Sequence, residues 1–379
     1  MISADLRKNE IIRVLYLCPD VTDMKLFARV MALKEAKTEV ITMGFHRKRY
    51  DAGKTPDWRH IDIGLTKDRA YLKRLGVILR IILLIPELRR FFTNSSGRKI
   101  VIARNLDMGL LACMVRALLG VKTVFVYEVL DIQRIMVGGG WKSRTARWLE
   151  RLCLKQCDRL IVSSPYFVTE YFHKFQWYTG DWRLVENKIV KPLPFIPGEP
   201  ETRPWVIGWL GTLRCKRSLG IICKLANRLG NKVRFDLYGY PARIGEADFV
   251  EAISHYENIY YHGSYSHDQL PDIMKSIHFS WCFDYSDDWG NSIWLLPNRL
   301  YEAGCYGRPL LADKDHATGG RTNLDGLGWT FRGKHLVDDI TNFIEHLDPV
   351  EWRATVARIQ SKPPTDFIEA GDFCRAAFN

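Results

Sequence analysis

Two stretches of this 379-residue chain hold residues whose types and spacing suit a phosphorylated ligand. The first is Ile207-Gly208-Trp209-Leu210-Gly211-Thr212-Leu213-Arg214-Cys215-Lys216-Arg217-Ser218. A strand-like run ends in glycine, passes three cations and enters a helical pattern. Gly211 lets a ligand approach the backbone, and Arg214, Lys216 and Arg217 can neutralise phosphate. An ordinary strand-to-helix turn with solvated cations would read the same. The second stretch contains Pro297-Asn298-Arg299-Leu300-Tyr301-Glu302, then Gly307-Arg308-Pro309-Leu310-Leu311-Ala312. Pro297 suits the first position of a helix. Such a start presents free backbone N–H groups to a diphosphate. Glu302, more than one turn along, could accept hydrogen bonds from ribose hydroxyls; a solvated helix carboxylate is the alternative.

Other patterns carry less. Asp313-Lys314-Asp315 follows a strand and has a divalent-metal spacing. Tripeptides of this kind arise often by chance, and no metal ion is expected. Gly138-Gly139-Gly140 reads as a flexible loop. His262 and His267 read as lone structural histidines. Ser163-Ser164-Pro165 lacks the Gly-x-Ser-x-Gly setting of a hydrolase. Nine cysteines without a Cys-x-x-Cys pair point to reduced thiols rather than a disulfide or zinc framework.

The elements that must position these residues follow from apolar patterning. In the first half, strands are expected at Ile12–Cys18, Glu39–Met43, Lys99–Ala103, Thr123–Tyr127 and Arg159–Ser163. Helices fill 24–36, 69–92, 106–119, 141–156 and 165–174. In the second half, strands are expected at Trp205–Trp209, Val233–Tyr238, Ile259–Tyr261, His278–Cys282, Pro309–Ala312 and Gly328–Phe331. Helices fall near 217–229, 246–255, 267–276, 297–306, 335–346 and 350–360. Lys191 to Pro204 holds five prolines and reads as a linker. The expected organisation is an α/β chain with two doubly wound parallel-sheet domains, 1–190 and 205–348, joined by linker 191–204. A helical segment 349–379 could cross back to the first domain. Ligands of such sheets sit at the carboxyl ends of the strands, here the cleft between domains.

Composition narrows the function. Hydrophobic residues at 47% and charged residues at 26% exclude a disordered chain, a fibre or a rod. No apolar run suffices for a membrane span, and the polar start shows no secretory signal. The net charge of +12 is uneven: residues 1–200 carry +15 and the rest −3. A basic half suits an anionic partner. Lys67 to Phe92 interleaves Lys73, Arg74, Arg80, Arg89 and Arg90 with apolar residues. It reads as a helix lying on anionic lipid, or as a sheet-covering helix with a basic rim. Arg116, Lys142, Arg144 and Arg147 could extend the patch. No aromatic-basic strand pattern supports nucleic acid.

Pro297–Glu302 followed by Gly307–Ala312 resembles the nucleotide-sugar motif of family-four-like glycosyltransferases with the GT-B fold. Four segments resemble, more narrowly, bacterial succinoglycan-type exopolysaccharide glycosyltransferases: Ala103–Met108, Tyr127–Ile132, Leu213–Ser218 and Leu295–Glu302. The resemblance spans both domains. It implies a GT-B fold of two Rossmann-like domains and a UDP-sugar donor on the second. Gly211, Arg214, Lys216, Arg217, Tyr238, His262, Gly263, Pro297, Asn298 and Glu302 would bind that donor. Asp284, Asp287 and Asp288 would form a loop near its sugar. The first domain would bind a lipid-linked oligosaccharide acceptor at the inner face of the cytoplasmic membrane. Many retaining members carry a second glutamate eight positions before the one matched by Glu302. Here that position is Trp294, which favours inversion. Inversion needs a general base. Asp131, after the strand Thr123–Tyr127, is the candidate, with Glu128 second. A loop-capping role for Asp131 is the alternative. A nucleotide-sugar epimerase of the same fold, or a catalytically silent membrane subunit, would share these features.

Overall fold

Runs rich in β-branched and aromatic residues form the strands here because both faces of each sheet are covered. The computed structural model describes residues 11–46, 56–65, 71–94, 96–190, 192–194, 203–287 and 289–379, without the side chains of 24, 46, 65 and 71–80. Residues to Val185 together with Gly371–Asn379 make one compact unit, and Glu186–Ala370 make the other.

The first unit holds β1 (Arg13–Cys18), β2 (Glu39–His46), β3 (His60–Leu65), β4 (Lys99–Arg104), β5 (Val124–Val129), β6 (Arg159–Val162) and β7 (Trp182–Leu184). The order is β3-β2-β1-β4-β5-β6-β7, and every neighbouring pair is parallel. The second unit holds β8 (Trp205–Thr212), β9 (Val233–Tyr240), β10 (Ile259–Gly263), β11 (Phe279–Trp281), β12 (Leu310–Asp313) and β13 (Gly328–Phe331). Its order, β10-β9-β8-β11-β12-β13, repeats the pattern, again all parallel. In each sheet the order reverses beside the first strand, between β1 and β4 and between β8 and β11. Ligands bind doubly wound sheets at such a switch point.

The six strands expected in the second half are all present. The first half adds two edge strands, β3 and β7. His60–Leu65 carries Asp62 and Gly64, and Trp182–Leu184 is exposed throughout. Neither has the buried apolar run that marks the interior strands.

The boundary falls before the proline-rich segment. Ile189 N donates to Phe367 O at 3.0 Å and Glu369 N to Ile189 O at 2.8 Å. Glu186 pairs with Arg321 at 3.2 Å. These bonds tie 186–190 to the second unit. Residues 191 and 195–202 of the expected linker lie outside the described residues. The segment from 349 divides. In Pro349–Gln360, buried Trp352 donates to His278 O at 3.1 Å, within the second unit. Only Gly371–Asn379 joins the first unit, where buried Phe373 lies under the Arg29 guanidinium, 4.5 Å from the ring centroid.

Candidate functional site

Because the strands of the second unit run parallel, their carboxyl ends share one edge. The backbone is open at Gly211, where a Cβ would meet nothing within 4 Å. Gly211 (φ +99°) lies opposite Gly239 (φ +141°) in the β8–β9 register. A Cβ on Gly239 would sit 1.6 Å from the Gly211 carbonyl oxygen, so no side chain fits.

The helix Lys216–Leu229 starts beyond this edge, with the Cys215 Sγ accepting from Ser218 N at 3.3 Å. Its first turn carries Lys216 and Arg217, both exposed, and no acid. A helix N-terminus already bears partial positive charge, so cations there repel it until an anion binds. The remaining side chains come from the loops after β8, β11 and β12. Arg214 pairs with Asp284 at 3.2 Å. Burial would raise the Asp284 carboxyl, but Arg299 and Arg214 outweigh it and hold the carboxyl below its usual range. The Arg217 guanidinium carbon lies 4.1 Å from the Tyr285 ring centroid. Tyr285 donates to Asp313 Oδ2 at 2.6 Å. The His316 ring lies 5.4 Å from that of Tyr285, and burial pushes its pKa down.

Sequence reasoning missed Arg299, Tyr285 and His316 in this cluster. His316 directly precedes the helix Ala317–Asp325, which was also missed because it contains Gly319-Gly320. Gly319 has a packing reason: its Cβ would meet Asp313 O at 1.8 Å. Asp313 itself is committed, accepting from Tyr285 and from the Asp315 amide at 2.9 Å. Asp315 pairs with Arg332 at 3.3 Å. Among the described residues no group of three or more His, Cys, Asp or Glu could hold a metal ion.

The helix Asn298–Cys305 differs from expectation by one position. Pro297 is its N-cap, with ψ 155°, and Asn298 is the first helical residue. Pro297 therefore still precedes the free N–H groups but is not itself helical. Glu302 is half-buried. Tyr265 is its neighbour: burial first, then the Glu302 charge, pushes the Tyr265 phenol up. Tyr238 and His262 stack at 4.3 Å, with planes 9° apart. His262 Nε2 lies 3.3 Å from Asp236 Oδ1, and Gly263 takes φ +72° where the β9–β10 register shifts. One face of His262 is thus covered by Tyr238. Trp294 packs on Gly290 (φ +137°), where a Cβ would meet the indole at 2.6 Å. Asp284 and Asp287 pair with Arg214 and Arg243; Asp288 lies outside the described residues.

In the first unit the two proposed catalytic carboxylates separate. Glu128, on β5, is 0% exposed. Its oxygens accept from Arg29 at 3.0 Å, from Arg104 at 2.9 Å and from the Tyr16 hydroxyl. Burial would raise its pKa, but Arg104, Arg29 and the hydroxyl hold it down at about 2. A base needs a reachable lone pair and affinity for a proton. Glu128 has neither, so its expected catalytic role is corrected to that of a buried counter-ion. Asp131 is exposed and lines a cavity of about 310 Å³. Asn105, Asp107, Tyr127, Met136 and Glu150 share that lining. Asn105 holds φ +66°, a conformation uncommon outside glycine and tolerated by asparagine. Glu150 forms the buried end, accepting from Tyr127 at 2.9 Å and from Tyr171 and Gln176.

No protein-family model matches the chain. It is 29% identical over 378 residues to the succinoglycan biosynthesis protein ExoL of Rhizobium meliloti (strain 1021), covering 96% of this chain and 92% of that one. Among solved structures it is similar to the lipopolysaccharide outer core galactosyltransferase WaaB, with a TM-score of 0.65, 14% identity and 96% and 97% of the two chains covered. It is also similar to Anabaena Alr3699/HepE in complex with UDP and glucose, with a TM-score of 0.64, 12% identity and the same coverage. The chain is a GT-B-fold protein similar to a succinoglycan biosynthesis protein along almost its whole length.

Proposed function

We propose that the chain is a glycosyltransferase of bacterial exopolysaccharide assembly. It moves a hexose, with glucose the first donor to test, from a UDP-sugar to a polyprenyl-diphosphate-linked oligosaccharide, inverting the anomeric centre. The observation that carries the reading is the acid-free, cationic first turn of Lys216–Leu229 beside Arg214 and the open backbone at Gly211. Lys216 and Arg217 meet the diphosphate together with N–H groups of the two helix starts, and Glu302 meets the ribose. Asp131 takes the proton of the acceptor hydroxyl. The oxygen then bonds to the anomeric carbon as the bond to the UDP oxygen breaks. The charge left on UDP falls on these cations and N–H groups, so no metal ion is required. Trp294, at a position where a glutamate would support retention, is consistent with inversion.

Lys216→Ala and Arg217→Ala should each weaken UDP binding on the order of tenfold, the usual worth of one charge-assisted hydrogen bond. Glu302→Ala should weaken binding of UDP more than binding of inorganic diphosphate, which lacks the ribose. Calorimetric titration reads all three, and unchanged affinities would remove this edge from the site.

The membrane reading draws on two helices of the first unit. Tyr71–Thr93 exposes Ile82, Leu83, Arg89 and Arg90; the Lys73, Arg74 and Arg80 side chains lie outside the described residues. Trp141–Gln156 exposes Trp141 (68%) and Trp148 (54%), spaced on one helix face with Leu152. Exposed Arg144 and Lys155 share that face. Indoles among cations suit an anionic lipid interface. No helix among the described residues is long and apolar enough to cross a membrane. Trp141→Ser with Trp148→Ser should lower binding to phosphatidylglycerol vesicles on the order of tenfold without changing UDP affinity. Unchanged sedimentation with vesicles would discard this face.

A further inference from the structure

Asp313 ends β12 with a buried carboxylate that the proposed reaction does not use. Its Oδ2 accepts from the Tyr285 hydroxyl at 2.6 Å. Burial first, then that bond, pushes the phenol pKa up, which keeps the hydroxyl protonated and donating. The Tyr285 backbone is fixed as well: its N–H donates to Cys215 Sγ at 3.2 Å. Cys215 also caps the helix Lys216–Leu229, and Ser218 of that helix donates its hydroxyl to Phe283 O at 3.3 Å. The loop after β11 and this helix start are thus tied together, with Tyr285 anchored at both its amide and its hydroxyl. Over the ring lies the Arg217 guanidinium, 4.1 Å from the centroid. Gly333 flanks it: a Cβ there would sit 3.5 Å from Arg217 Nη2. Arg217 is exposed. An exposed arginine otherwise samples many rotamers, and ordering it weakens whatever it binds.

We propose that Tyr285 is a positioning residue for the donor diphosphate, acting through Arg217: its anchored ring holds the guanidinium at the helix start. The inference rests on the reading of Arg217 as a diphosphate ligand, and it gives Asp313 and Cys215 their roles as the anchors of that ring. A guanidinium over an aromatic face is attracted by it and still presents its N–H edge to phosphate. A lysine ammonium has no plane to stack, so charge alone does not replace it. Holding the side chain before the ligand arrives reduces the ordering that binding must supply.

The test is calorimetric titration of the full chain with UDP, comparing the parent with Arg217→Ala, Tyr285→Leu, Tyr285→Phe and the double variant of Arg217→Ala with Tyr285→Leu. Arg217→Lys joins them as a change that leaves the interior untouched. Tyr285→Leu should weaken UDP about threefold to tenfold. In the Arg217→Ala background the same exchange should change affinity by less than about twofold, because the ring has lost the group it holds. Tyr285→Phe, which keeps the ring and drops the bond to Asp313, should fall between the parent and Tyr285→Leu. Arg217→Lys should weaken UDP by about threefold or more despite its charge. A Tyr285→Leu loss that persists in full without Arg217 would be a fold effect and would overturn the proposal. Parent-like affinity in Tyr285→Leu or Arg217→Lys, or a Tyr285→Phe variant as weak as Tyr285→Leu, would overturn it too. Failure here is separable from failure of the donor-site reading. Arg217→Ala that weakens UDP while Tyr285→Leu does not sinks only the positioning role. UDP affinity unmoved by Arg217→Ala removes this edge from the donor site, and the positioning role with it.

Discussion

Asp131→Asn is expected to lower transfer by about two to four orders of magnitude, the range for losing a positioned general base. Asparagine keeps the shape and the hydrogen-bonding reach of the aspartate but cannot accept the proton. Asp131 is exposed, on the loop after β5. UDP affinity, which the proposed function assigns to the other unit, should not change. Thermal unfolding should match the parent. Single-turnover assays with saturating donor and acceptor isolate the chemical step. Full turnover in the variant would remove Asp131 from the mechanism, and equal loss of UDP binding would show a structural effect instead.

Glu128→Gln is expected to fail differently. Among the described residues, Glu128 is the counter-charge that buried Arg29 and Arg104 share, and Arg104 reaches Asp23 as well, at 2.7 Å. Removing its charge takes this counter-ion from the buried Arg29 guanidinium and leaves Arg104 with Asp23. Breaking a buried pair in this way costs about 3–5 kcal/mol. Urea unfolding at neutral pH should show a loss of that size, whereas an unchanged midpoint would contradict the counter-ion role. The same carboxylate makes stability depend on acid. Its pKa falls from an ordinary 4.5 to about 2 on folding. Between those values the unfolded chain binds the proton and the folded chain does not. The contribution is therefore complete above about pH 4.5 and lost as pH falls toward 2. A shift of that size corresponds to about 3 kcal/mol. In Glu128→Gln this acid-dependent component should vanish from the stability profile.

The pair Glu128 and Asp131 shows where sequence reasoning runs out. Glu128 lies on β5 and Asp131 just after it, three residues apart. Nothing in Tyr127-Glu128-Val129-Leu130-Asp131 says that Glu128 faces Arg29 and Arg104, which come from 99 and 24 residues away. The doubly wound fold was legible because interior strands are covered on both faces and read as unbroken apolar runs. Strands β3 and β7 lie at sheet edges and lack that mark. The turn from β8 into Lys216–Leu229 and the start of Asn298–Cys305 were legible as strand-glycine-cation-helix and Pro-Asn-Arg-Leu-Tyr-Glu, since a tight turn and a helix start demand local sequence. Tyr285, Arg299 and His316 were not, because their meeting depends on two loops and a helix start that are separate in sequence. The proline-rich segment misled on the boundary: prolines forbid regular structure, but the pairing of Ile189 with the backbone around Ile368 decides which unit residues 186–190 join.

The central claim is that the second unit binds a UDP-sugar through cations and backbone N–H groups. Calorimetric titration of the full chain with UDP, UDP-glucose, UDP-glucuronate, UDP-galactose and GDP-mannose, with and without EDTA, tests it most directly. The account predicts that UDP and one UDP-sugar bind, with the same affinity in EDTA, and that GDP-mannose does not. Binding of none of the five, or binding that EDTA abolishes, would contradict it.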